Sequence, residues 1–254
     1  MCRSKHFYIQ KEDRSTMISD GISGLKTFFF QSRRMKLFLV WFLFVVFLLF
    51  VWMVGDSAND RTVAISAVIC GGSTFLFWSY RTAVKRITLF WSSRKKFVFL
   101  GSLGAVWVEF VFWLVEKLCG AQGVAASPNL ILDLLATMPW YIMMLFLLYR
   151  VETTYSYSYT EILLLGGIYE LGADGIFGQI MEGLTVASLF LVVMVIPLFV
   201  IVYSFIVLPP TYLLREEITE IRREQPQRTH KYRYALLPLL GLIPYFGIGF
   251  LFLL

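Results

Sequence analysis

The feature that most constrains this chain is a series of apolar runs, each close to the ~20-residue length that spans the hydrocarbon core of a bilayer. The first run, Leu37 to Val54, contains neither a charged residue nor a proline. Across the whole chain 58% of the residues are hydrophobic and 16% are charged, whereas a soluble domain is about 25% charged. The sequence therefore predicts an all-α fold, a polytopic membrane helix bundle.

The predicted bundle contains about seven transmembrane helices in a single transmembrane domain, residues 37–254. The predicted spans are residues 37–54, 62–80, 97–119, 130–149, 162–183, 184–208 and 234–254. A basic tail, residues 1–36, precedes this domain. Apolar residues recur in the tail at helical spacing beside Lys and Arg, which predicts an interfacial helix on an anionic leaflet.

Lys and Arg residues lie between the apolar runs, where they indicate which side of the membrane each loop occupies. They cluster in the N-terminal tail, in residues 81–96 and in residues 215–233, with Arg150 after the fourth run. With seven spans and a cytoplasmic N-terminus, all these regions face the cytoplasm, and only Arg61 and Lys117 do not. The sequence therefore predicts a cytoplasmic N-terminus, an external C-terminus and a location in the cell membrane.

The same basic loops are expected to contact anionic lipid headgroups, which explains the net charge of +6 without a nucleic-acid partner. After Pro209-Pro210, which we expect to end the sixth span, residues 211–224 form a predicted amphipathic helix. It places Leu214, Ile218 and Ile221 on one face. This helix is expected either to anchor the bundle at the cytoplasmic surface or to dock a partner protein.

Acidic residues inside the predicted spans are the candidates for a proton- or ion-binding site: Glu109, Asp133, Glu170 and Asp174. A rise of ~1.5 Å per residue puts all of them in the middle to outer half of the membrane. Intramembrane carboxylates are costly and normally face the bundle interior, so each is a functional-site hypothesis. With no basic residue predicted at that depth, they must be protonated, hydrated or neutralised by a bound cation.

Glycines interrupt the fifth span between Gly166 and Gly178. They permit either close packing of helices or a break that exposes carbonyl oxygens, as in many transporters. The best functional hypothesis is a proton- or cation-coupled transporter or channel-like protein with an acidic intramembrane site. Movement at the glycine-rich stretch would accompany alternating neutralisation of that site.

Two alternatives remain open. Asp133 and Asp174 could share a proton and activate water, as in an intramembrane aspartyl protease. The chain could instead be a non-catalytic membrane subunit or scaffold that binds another protein. His6 and His230 both lie in predicted cytoplasmic segments, which argues against a His-ligated metal site within the membrane. We expect no metal site and no cofactor.

Overall fold

The computed structural model describes residues 33–87, 90–173, 185–224, 230–244 and 247. The elements are α1 (Arg33–Val54), α2 (Ala58–Ile87), α3 (Ser93–Cys119), α4 (Leu130–Thr154), α5 (Tyr159–Ala173), α6 (Val186–Leu213) and α7 (Arg215–Arg223), then the 3-10 helices Lys231–Tyr234 and Leu237–Gly241. The all-α prediction is confirmed. The chain divides into two units at Val46 and Phe47, inside α1, and all the packing contacts and the cavity described below lie in the second unit.

Four helices are long and apolar enough to cross a membrane: Ala58–Arg86, Ser93–Cys119, Leu130–Thr154 and Val195–Leu213. By this criterion the chain is a multi-pass membrane protein, but the predicted count of seven spans is wrong for the residues that the structure describes. A shorter apolar helix, Leu39–Val54, covers most of the first predicted span.

The fifth and seventh predicted spans account for the remaining difference. The described part of α5 is 15 residues long, and the rest of predicted span 162–183 lies outside the described residues. Predicted span 234–254 begins with the 3-10 helix Leu237–Gly241 instead of an α-helix. Pro238 and Pro244 have no N–H for a continuous α-helix, and residues 245–246 and 248–254 also lie outside the described part.

Helix α6 continues through Pro209 and Pro210 to Leu213, so the prediction that this pair ends the helix is wrong. Pro209 has no N–H to donate to the carbonyl of Phe205, four residues earlier. Gly104 of α3 packs against that carbonyl, and a Cβ added there would lie 2.6 Å from the Phe205 oxygen. The carbonyl that loses its helical hydrogen bond therefore lies at a close contact between α3 and α6.

Helix α6 packs against α2, α3 and α5, and glycines bring these helices close to it. Gly71 of α2 faces Ile201, while Gly166 and Gly167 of α5 face Val207 and Val200. Helix α5 is continuous through all three of its glycines, Gly166, Gly167 and Gly172. Gly166 and Gly167 therefore serve close packing, and no glycine breaks the described part of this helix.

Helix α7 is held on the bundle by an apolar contact and by an ion pair. Ile218 is 0% exposed, so the chain itself covers the centre of the apolar face predicted for residues 211–224. Glu217 accepts a hydrogen bond from Lys96 of α3 at 2.8 Å. Docking of a partner protein on this helix stays a prediction.

Glu152, in the last turn of α4, joins α4 to both α6 and α7. Its Oε1 accepts a 2.6 Å hydrogen bond from the Thr211 hydroxyl, and its backbone carbonyl accepts two from Arg222 at 2.8 and 3.1 Å. This end of the bundle also carries other basic side chains. We call it the basic end, and it is marked by Arg81, Lys85, Lys96, Arg215, Arg222 and Lys231.

The segment with the two 3-10 helices runs from the basic end along α5 to the middle of α4. The Tyr157 hydroxyl donates to the carbonyl of Lys231, and the Tyr169 hydroxyl donates to the carbonyl of Ala235, each at 2.6 Å. Gly241 then packs on Trp140, where an added Cβ would lie 3.0 Å from the ring. Tyr157 therefore fixes the start of this segment against the bundle.

Candidate functional site

A cavity of about 510 Å³ lies in the half of the bundle away from the basic end. Its walls come from the C-terminal end of α1, the first turns of α2, the second half of α3, the first half of α4, the end of α5 and the first half of α6, with the α3–α4 loop. We call it the acidic cavity because Asp60, Glu109 and Glu170 line it.

Glu109 of α3 and Glu170 of α5 bring two carboxyl groups to this cavity from separate helices. They are 9% and 1% exposed. Tyr141 of α4 also lines the cavity, and its hydroxyl donates a 2.7 Å hydrogen bond to Oε1 of Glu109. Tyr141 lies within electrostatic range of Glu170 as well. The structure thus brings together two of the residues predicted from sequence, and their role in ion binding stays a prediction.

Asp133 stands beside the cavity and contributes to its structure. It lies in the first turn of α4, is 0% exposed, and its Oδ1 accepts a 2.9 Å hydrogen bond from the backbone N–H of Ser127. Its carboxyl group is also a neighbour of that of Glu109. A carboxylate at a helix N-terminus is favoured by the helix dipole, so this position suits Asp133 without any ligand.

The α3–α4 loop closes one wall of the cavity and is fixed by a second carboxylate. Oε2 of Glu116 accepts hydrogen bonds from the backbone N–H groups of Val124 and Ala125, both at 2.7 Å. Gly120 and Gly123 adopt positive φ values of 68° and 75°, which other residues reach only with strain. Nothing in the sequence assigned this role to Glu116, because the role depends on where the loop folds back.

Aromatic side chains form much of the remaining wall: Trp52, Phe112, Trp140, Tyr141, Phe199 and Tyr203. The ring centroids of Tyr141 and Tyr203 are 6.4 Å apart, and those of Phe199 and Tyr203 are 5.7 Å apart. The place of Trp140 and Tyr141 in the cavity wall could not be read from sequence spacing, since it depends on how α4 is rotated against α3.

Trp140 lines the cavity with its indole ring, but solvent does not reach its Nε1–H. The residue is 1% exposed, and the buried Nε1 has no hydrogen-bond acceptor among the described residues. The edge of the indole that carries Cε3 and Cζ3 packs on Gly241. A buried donor without an acceptor costs about 1–3 kcal/mol.

The charge of the cavity is of one sign. Among the described residues that line it, three are acidic and none is Lys, Arg or His. In the described part of the chain, no group of three or more His, Cys, Asp or Glu side chains is arranged to hold a metal ion. Protons and cations are therefore the ligands that this cavity attracts by charge.

Asp174 lies outside the described residues, so the predicted ion-site role of Asp174 and the proposed Asp133–Asp174 catalytic pair are both left without structural description.

Comparison of the chain with protein-family models, curated proteins and solved structures gives no match.

Proposed function

We propose that the chain is a transporter or channel-like membrane protein in which Glu109 and Glu170 take up a proton or a small cation as a solute passes through the acidic cavity. The observation that supports this most is the pair of buried carboxyl groups, one on α3 and one on α5, in one cavity that no described basic side chain lines.

Electrostatics explains why such a site would be coupled to movement. An ionised carboxylate in a poorly hydrated cavity is unstable unless a proton, a cation or water compensates its charge. Glu109 and Glu170 sit on different helices, so their charge state changes the force between α3 and α5. Binding of a cation draws these helices together, and its release lets them separate.

In this proposal the basic end defines the orientation of the protein in the membrane. Its Lys and Arg side chains would face the cytoplasm of a cell membrane under the positive-inside rule, and anionic lipid headgroups would contact them. The acidic cavity would then open toward the outer side, and Asp133 and Glu116 would hold the loop that covers it.

The test is thermal unfolding of the purified full-length protein in detergent, across a pH series and with Na⁺ or K⁺ as the added salt. A ligand that binds only the folded state adds about 2.7 kcal/mol at ~100 times its dissociation constant. We expect protonation or one cation to stabilise the wild type, and Glu109→Gln and Glu170→Gln to lose this response.

The matched control is Glu220→Gln, since Glu220 is an exposed carboxylate on α7 and should leave the response intact. If both cavity variants respond to pH and cations as the wild type does, the proposed function is wrong.

A further inference from the structure

We infer that the solute held in the acidic cavity is a small organic ammonium ion, a protonated or quaternary amine. This inference rests on the proposed function, because it names the solute class of the same site. Two features of the cavity carry it: its aromatic wall and its size.

The aromatic wall selects for an organic cation. Trp52, Phe112, Phe199 and Tyr203 line the same cavity as the two carboxyl groups. A cation within about 6 Å of an aromatic ring face is attracted by the ring quadrupole, and aromatic cages are a recurring means of binding quaternary ammonium groups. Methyl groups on the nitrogen also gain from contact with these apolar rings, whereas a hydrated metal ion does not.

The size of the cavity points the same way. Its volume of about 510 Å³ falls within the roughly 300–1,000 Å³ of small-molecule sites and is far larger than one inorganic ion. The described residues also provide no group of three or more metal-binding side chains. An anionic solute would be repelled by Asp60, Glu109 and Glu170 in their ionised form.

The test uses three probes with the detergent-purified full-length protein: choline, tetramethylammonium and 3,3-dimethyl-1-butanol, the uncharged isostere of choline. Affinity is measured by isothermal titration calorimetry. We expect choline to bind roughly tenfold or more tightly than the isostere, in keeping with the strength of desolvated cation–π contacts and charge pairing. Tetramethylammonium carries the same quaternary ammonium group and should also bind more tightly than the isostere.

A matched pair of variants locates the binding. Phe112→Leu, in the cavity wall, should weaken choline binding by roughly threefold to tenfold, whereas Phe110→Leu, on the same helix but not among the lining residues, should not.

The outcomes separate the two proposals. If Glu109→Gln and Glu170→Gln abolish the response to protons or Na⁺ but choline binds no better than its isostere, the proposed function stands and the ammonium inference fails. If choline and tetramethylammonium bind and the carboxyl variants keep the wild-type response to pH and salt, the solute class stands and the coupling fails. Equal binding of choline and its isostere without any response to cations overturns both.

Discussion

At the scale of single residues, Glu161 at the start of α5 receives hydrogen bonds that favour the ionised form of its carboxyl group. Lys231 and Tyr232 donate hydrogen bonds to its Oε1 at 2.6 and 2.7 Å, and the Ser158 N–H donates to its Oε2 at 2.8 Å. The Glu161 N–H in turn donates to the Ser158 hydroxyl at 3.2 Å. This reciprocal pair is a capping box, and it also ties the 3-10 segment to α5.

Burial alone would raise the pKa of Glu161, but the hydrogen bonds from Lys231, Ser158 and Tyr232 outweigh burial and lower the pKa from 4.5 to about 2. A carboxyl group with a depressed pKa in the folded state stabilises the protein above its unfolded pKa. That stabilisation is therefore present at neutral pH and is lost as the pH falls from about 4.5 toward 2.

Replacing Glu161 by Gln should lower the free energy of unfolding at neutral pH by about 1–2 kcal/mol, allowing for partial solvent screening. It should also flatten the acid limb of the stability curve, because Gln does not titrate. The measurement is chemical unfolding in detergent as a function of pH, with Glu220→Gln as the exposed-carboxylate control. An acid limb as steep as that of the wild type would contradict this account.

The acidic residues also show what the sequence could and could not reveal. Depth along each span, which follows from helix rise, predicted one shared region for the acidic residues, and Glu109 and Glu170 line one cavity. It could not separate them from Asp133, which lies beside Glu109 but accepts a hydrogen bond from the loop backbone. The position of that backbone depends on the folded α3–α4 loop, and no spacing rule gives it.

At the scale of elements, the contact between α3 and α6 is the most sensitive to added volume. A Cβ at Gly104 would lie 2.6 Å from the backbone oxygen of Phe205 and 3.2 Å from Cα of Ile206. These are main-chain atoms, so they cannot rotate away as a flexible side chain could.

Gly104→Ala should therefore lower the free energy of unfolding by about 1–3 kcal/mol, the usual effect of overpacking. Gly72→Ala in α2 is the matched control, because no atom of a neighbouring element lies within 4 Å of a Cβ added there. It should leave stability unchanged or raise it by up to about 1 kcal/mol through helix propensity. Thermal unfolding of both variants measures the difference in stability. Equal stabilities would show that α3 and α6 are not in such close contact.

The contact of Gly104 with Phe205 illustrates why the ends of helices were harder to predict from the sequence than the presence of helices. Apolar runs located α2, α3 and α4 because hydrophobicity is a local property of the sequence. Pro209 and Pro210 normally end a helix, yet α6 runs on to Leu213. The carbonyl of Phe205, which receives no helical hydrogen bond from Pro209, lies against Gly104, more than a hundred positions away in the chain. A local rule does not include such contacts.

At the scale of the whole molecule, the helices that follow one another run between a basic end and an end without such a cluster. Gln122, in the α3–α4 loop, and Glu224, after α7, are both exposed and lie at opposite ends. Three of the described helices between them, α4, α5 and α6, must all cross a bilayer to place the two residues on opposite sides, although the described part of α5 has only 15 residues.

This is tested with single cysteines in a background without Cys2, Cys70 and Cys119, labelled in cells with a membrane-impermeant maleimide. Gln122→Cys should react in intact cells, and Glu224→Cys should react only after permeabilisation. The reverse pattern would invert the proposed orientation. If both cysteines react under the same conditions, α4, α5 and α6 do not all cross the membrane.

The hydrogen bonds that anchor the α3–α4 loop would limit how fast a molecule enters or leaves the acidic cavity past this loop. To open, the loop has to give up the carboxylate hydrogen bonds that Glu116 makes with Val124 and Ala125 and that Asp133 makes with Ser127. Charge-assisted bonds of this kind contribute about 1.5–3 kcal/mol each, so their simultaneous rupture is infrequent. A bound solute would leave by this route only when the loop opens, and the dwell time of the complex, more than its affinity, would then limit turnover.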